Sequence, residues 1–325
     1  MYQIDNASAA TSQPASTAAG TPGFFTDGNP TSATPATILP AEWLNSVMME
    51  LINVVNAGGV TPTKNRFNDV LTSLQKMYSP VVGAVRNLAM SVTAASATAT
   101  MTADQIIVAS ALNGQTFILP SFNKTVNLAT TGAGGMDADS APVSGYVALY
   151  AIYNPTTGTS ALLAKNATSA VQPNVYGGAN MPAGYTASAL VSVWPTNGSG
   201  QFAVGFQRDR SVSISSVTAL SSSTVHGSPT SLSISSAVPP NATGVSGTIA
   251  ASSTAAATTS LQVNPIASIN VGIQGVNCST TAASGGGNSC TFRNLQISTQ
   301  QTIYYTSSNS AGTPTFTIAI MGYDF

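Results

Sequence analysis

The sequence predicts a mainly β chain made of an extended arm, a short helical hairpin and two antiparallel β-sandwich- or jelly-roll-like domains. Three observations carry that expectation. Apolar residues recur at helical spacing over residues 41–80, and no further long helical period follows. From about Val81 the chain becomes a succession of short alternating or apolar runs separated by turn formers such as Asn154-Pro155, Gly177-Gly178 and Asn197-Gly198. Charge is scarce: nine Lys or Arg and ten Asp or Glu in 325 residues, 6%, against roughly 25% in an ordinary globular protein.

Residues 1–40 carry Pro14, Pro22, Pro30, Pro35 and Pro40 among Ser, Thr, Ala and Gly. Proline removes backbone donors, so this segment reads as an extended arm that follows the surface it meets. Pro40 then opens a helix whose stripe runs through Trp43, Leu44, Val47, Met48, Leu51, Ile52 and Val55 and stops at Gly58-Gly59. A second helix is expected from Thr61-Pro62, with Phe67, Val70, Leu71, Leu74 and Met77 on one face, ending before Pro80. A hairpin of residues 41–80 is too small to bury its apolar stripes alone, so it should pack on copies of itself or on another protein.

Strands are expected at Ile106–Val108, Thr116–Leu119, Tyr146–Tyr153, Ala189–Trp194 and Gln201–Phe206, forming a β-domain over residues 81–212. Residues 213–325 repeat the style more thinly. Val245, Gly247 and Ile249 alternate, as do Ile269, Val271 and Ile273, and finally Phe316, Ile318 and Ile320. No repeat of fixed period stands out, which argues against a solenoid.

Composition also excludes partners. Ser, Thr, Ala, Asn and Gly replace the missing charge, and no window reads as a spanning helix of about 20 apolar residues, so the chain is not expected to be membrane-embedded. A net charge of −1 with scattered basic residues argues against nucleic acid. Met1–Asp5 has no basic start with an apolar run behind it, so no secretory signal is expected.

The candidate chemistry is thin. His226 is the single histidine, and after Asp209 the one carboxylate is Asp324, so a Ser-His-acid triad lacks its acid. Asp137 and Asp139 in a Gly-rich loop offer two carboxylates, but nothing completes a metal shell or a glycosidase pair. No cofactor, no metal and no catalytic residue is expected. Cys278 and Cys290 flank a Ser/Gly-rich loop, leaving a disulfide and two free thiols both open. Among the C-terminal aromatics, Tyr304 and Tyr323 are candidate receptor-facing residues, and of the neighbours Tyr304 and Tyr305 at most one should be buried.

Two stretches carry a resemblance. Gly23-Phe24-Phe25-Thr26-Asp27-Gly28-Asn29-Pro30, then Pro35–Asn45 with Glu42-Trp43, and Gly58-Gly59-Val60-Thr61-Pro62, resemble the N-terminal module of tail fibre proteins of tailed bacteriophages. Gly134–Asp137, Tyr150–Gly158 and Pro182–Thr186 are similar to a β-module of phage tail proteins. Together they cover roughly residues 23–210. The resemblance implies an elongated homotrimeric fibre, assembled in the host cytoplasm and carried on the virion tail. Its N-terminus would bind other tail proteins, an adaptor or nozzle-like component, and its distal domains a host cell-surface receptor such as a polysaccharide. It places the anchor or trimer contacts on Phe25, Asp27, Gly28, Asn29, Pro30, Glu42, Trp43 and Asn45. The rivals are a head or neck fibre or tail adaptor without receptor binding, a polysaccharide depolymerase, and a bacterial surface adhesin, which would need a secretion signal. The expected protein is structural and not an enzyme.

Overall fold

The computed structural model describes residues 2–268 and 271–325. The chain is mainly β, with 43% strand and two short helices. It divides into two compact units, Met1–Ser79 with Asn113–Gln115, and Pro80–Leu112 with Thr116–Phe325.

In the first unit, α1 (Ala41–Ala57) starts directly after Pro40 and ends in a glycine cap. The Val60 N–H donates to the Val55 carbonyl at 3.1 Å and the Gly59 N–H to Asn56 at 2.9 Å. Gly59 takes φ +63, the left-handed conformation this cap needs. Helix α2 (Asp69–Met77) is shorter than expected. Residues 61–68 form turns instead, because the Asp69 carboxylate gathers local donors: the Arg66 guanidinium and, at 3.1 Å, the Thr63 N–H. Side-chain bonding of this kind competes with the helix ladder. Phe67, expected on the apolar face of α2, therefore precedes the helix and is 96% exposed. The two helices approach closely where the Ser73 hydroxyl donates to the Val54 carbonyl. Gly58 faces Ser73 there, where an added Cβ would lie 2.0 Å from its hydroxyl oxygen.

The second unit opens with β1 (Val85–Arg86), β2 (Ala89–Val92), β3 (Thr98–Ala109) and β4 (Thr116–Asn127). It continues through β5 (Tyr146–Asn154), β6 (Thr159–Asn166), β7 (Ala187–Pro195) and β8 (Gly205–Arg208). Strand β3 alternates cleanly at its start, with Ala99, Met101 and Ala103 inward and Thr98, Thr100 and Thr102 outward. Strands β5 and β7 are instead buried on both faces over most of their length, which explains their continuous apolar runs.

Then follow β9 (Ser211–Ser222), β10 (Thr230–Ser233), β11 (Gly244–Ser253) and β12 (Ala257–Asn264). The last four are β13 (Gln274–Thr280), β14 (Gly286–Gln296), β15 (Thr302–Asn309) and β16 (Pro314–Asp324). Pairing in the order β14-β11-β16-β9 and β10-β15-β12-β13, all antiparallel, gives the two sheets of an eight-stranded jelly roll. Ile249, Leu261, Phe292, Ile303, Phe316 and Ile318 are buried in its core.

Several expectations change here. The boundary placed at 212/213 falls inside β9, which pairs with β8 on one side and β16 on the other, so a single sheet runs through both halves. Buried contacts bind those halves. The Tyr323 hydroxyl donates to the Val193 carbonyl at 2.5 Å, and Gln172 and Asn241 exchange two hydrogen bonds of 2.8 and 2.9 Å. The expected run Gln201–Phe206 narrows to β8, starting at Gly205. Of the expected alternation Ile269, Val271, Ile273, Ile269 lies outside the described residues, and Val271 and Ile273 precede β13 with substantial exposure.

Candidate functional site

Of the residues that the resemblance marks as anchor positions, Asp27, Gly28, Asn29 and Pro30 lie in one compact loop. Thr26 and Thr37 close its neck, the Thr37 N–H donating to the Thr26 carbonyl at 2.9 Å and the Thr26 N–H to the Thr37 hydroxyl at 3.0 Å. Inside it, the Asn29 side chain accepts from the Thr31 N–H at 3.0 Å, capping a single 3-10 turn that begins at Pro30. Gly28 has φ +76, and a Cβ there would lie 2.6 Å from the Thr34 carbonyl oxygen, so the tight closure depends on glycine. Asp27, next to the neck, is exposed.

Phe25 leads out of this loop onto α1, its ring meeting Trp43 edge-on with centroids 5.1 Å apart and planes at 82°. Such geometry places the positive edge of one ring on the negative face of the other. Both rings remain open to solvent, Phe25 at 57% and Trp43 at 45%. Glu42, one position earlier, accepts from both the N–H and the hydroxyl of Thr17, and those bonds hold its carboxyl below the usual range. The arm is thereby pinned to the start of α1. Asn45 lines a cavity of about 590 Å³ between that helix and residues 3–14. Thus Phe25, Asp27, Gly28, Asn29, Pro30, Glu42, Trp43 and Asn45 lie on one continuous arm-to-helix element.

The other candidates lie in the β-unit. Asp137 accepts from the Tyr176 hydroxyl at 2.8 Å, and the Tyr176 ring meets Tyr150 edge-on at 5.3 Å. Burial first, and the Asp137 bond second, push the Tyr176 hydroxyl up to about 12. Asp139, at φ +58, lines a separate open cavity. His226 is held by its backbone, exchanging bonds of 2.9 and 2.7 Å with Ser307, while its ring lies edge-on to Tyr305 at 5.3 Å. Among the described residues no group of three His, Cys, Asp or Glu is placed to hold a metal ion. No described helix is long and apolar enough to cross a membrane.

Cys278 and Cys290 are free thiols. Contacts between β13 and β14 set Asn288 against Asn277 and Cys290 against Gly275, whose carbonyl lies 3.4 Å from Cys290 Sγ. That register leaves the two cysteines out of step along their strands. Tyr323, expected to face a receptor, is buried at 2% exposure, because its side chain points between the two halves of the β-unit. Burial raises its hydroxyl pKa strongly. Of the neighbouring pair, Tyr305 is buried and Tyr304 half-buried, as alternation requires.

On the outer face of the jelly roll lies an open cavity of about 480 Å³ whose lining includes Arg293 and Asp324. These are the two charged residues that follow Arg210, and that isolation was the available signal. No protein-family model matches the chain, and no curated protein matches it.

Proposed function

We propose that this protein is a structural component of a tailed-phage virion: a homotrimeric tail fibre, anchored through its N-terminal unit, whose distal β-unit contacts the host. The observation that carries this reading is the Thr26–Thr37 loop leading into the exposed Phe25–Trp43 pair. On the same hairpin Leu44, Val47 and Leu71 are 50%, 41% and 57% exposed. Side chains like these each gain about 1.5–3 kcal/mol when fully buried, so a small unit that leaves them open is built to be covered by other chains. Closed symmetry with identical copies is the commonest way proteins do this. Three linked anchors on one virion would raise the effective concentration of each, so modest contacts suffice for firm attachment.

The mechanism is binding and not turnover. Analytical ultracentrifugation of the full chain tests the assembly: a trimer is expected, and a monomer refutes it. Imaging virions whose protein lacks residues 1–80 tests the anchor. Bald tails are expected, and retained fibres would overturn the assignment.

A further inference from the structure

We infer that the outer face of the jelly roll carries a binding site for an acidic saccharide, a hydroxyl-rich ring bearing one carboxylate. The site is built by backbone irregularity. Register shifts interrupt β11 beside Ser246 on both of its flanks, and another interrupts β16 between Ile320 and Gly322 where it pairs with β9. Bulges of this sort bend a sheet and re-aim side chains, and they gather beside functional sites. Their coincidence across neighbouring strands produces the cavity of about 480 Å³. Its floor contains Gly247 and Gly322, whose missing Cβ atoms would lie 2.0 Å from the Ala319 oxygen and 2.9 Å from the Val212 oxygen. Glycine inside a strand marks such a bulge or a close approach to the backbone.

The rim supplies the chemistry. Phe292, Val245, Tyr323 and Val212 are buried in the core, so their alternates Arg293, Ser246, Asp324 and Ser213 point outward together. Arg293 is exposed, and its guanidinium forms no ion pair and no side-chain hydrogen bond among the described residues. A guanidinium left open beside hydroxyls is a planar fork suited to a carboxylate. Strand β11 lies between β14 and β16, so Arg293 and Asp324 belong to strands about 10 Å apart. Their register also sets them apart along the sheet, Asp324 opposite Gly244 and Arg293 next to the Gly247–Phe292 pair, so a ligand that meets both must carry several polar groups, as a pyranose ring with a carboxylate does. Asp324 accepts ring hydroxyls and repels a second negative charge, which disfavours phosphate. The hydroxyls of Ser246, Ser213 and Thr291 both donate and accept, matching a ligand that does the same.

As the receptor chemistry of a fibre tip the inference rests on the proposed function, while the site itself is tested without it. Titration of the full chain with D-glucuronate, followed by NMR, is expected to show millimolar binding that weakens at least about tenfold in Arg293→Ala, a change of about 1.4 kcal/mol, with Arg293→Lys intermediate. Glucose should bind more weakly and be indifferent to Arg293→Ala. Because Arg293 packs against nothing charged, its variants should keep the wild-type circular dichroism. No response to glucuronate at tens of millimolar, equal binding by Arg293→Ala, or tighter binding of inorganic phosphate would each overturn the site. None of these results bears on the anchor, which the truncation of residues 1–80 tests separately.

Discussion

The helical unit and the β-unit handle a charge-poor sequence in opposite ways. Among its described residues the helical unit buries three hydrophobic side chains, Ile52, Val55 and Val60, and leaves Phe24, Ile38 and Phe67 almost fully exposed. Both described ion pairs, Lys64–Asp5 at 2.8 Å and Arg66–Asp69, also lie in it. The β-unit buries a continuous core from Leu88 to Phe325. It ties its strands together with hydroxyl and amide pairs, such as Thr100–Thr125, Thr259–Asn309 and Ser260–Ser308, each at 2.7 Å. Cross-strand pairs of this type contribute roughly 0.2–1 kcal/mol each and need no ions. One unit therefore completes its own core, and the other leaves most of its large apolar side chains open.

The largest effect that would break this contrast is in the β-core. Trp194 is fully buried and donates to the Ala203 carbonyl at 2.9 Å. Trp194→Ala should cost about 3–5 kcal/mol in urea unfolding, and a midpoint unchanged from wild type would show that the unit does not depend on this core. Next, Gly247→Ala puts a methyl 2.0 Å from the Ala319 oxygen, so a loss of about 1–3 kcal/mol is expected from overpacking. Tyr323→Phe removes the donor to Val193 and strands a buried carbonyl, at about 1–3 kcal/mol. Because both halves share that contact, the β-unit should still melt in one transition, and two separated transitions would divide it.

Smaller effects belong to the helical unit. Leu71→Asp should leave the β-unit midpoint within about 0.5 kcal/mol, as expected for an exposed site, yet dissociate the assembly in ultracentrifugation. Asp69, held down from 3.8 to about 2 by the Arg66 pair first of all, adds stability that is present above pH 4. That stability is lost as the pH falls towards 2, where the carboxylate takes up its proton. Helical circular dichroism of residues 41–77 should fall over that window in wild type and show no such step in Asp69→Asn.

Much of the local structure was legible in the residues. Helix α1 was readable because its stripe, Pro40 and the Gly58-Gly59 stop are local signals, and β5 and β7 because apolar runs between turn formers have few alternatives. The start of α2 was not, since the Asp69 carboxylate and not the hydroxyl N-cap at Thr61 decides where the helix begins. Strand β9 escaped notice because Ser-Val-Ser-Ile-Ser-Ser lacks an apolar run, and its partners β8 and β16 supply what its own side chains do not. Asp27, Gly28, Asn29 and Pro30, singled out by resemblance, share one hydrogen-bonded loop closed between Thr26 and Thr37, which no periodicity in the sequence announced.

By itself the sequence determined the β character, the helical hairpin, the exposed apolar stripe and the near absence of charge beyond Arg210, because these depend on composition and short-range periodicity. Only the tertiary structure decided that the two β-halves share one sheet, that Tyr323 lies between them, and that Cys278 and Cys290 fall out of step. It also brought Arg293 and Asp324 to one cavity. Each of these rests on strand register, which is fixed by pairing between distant segments, and a single bulge is enough to change which side chains meet.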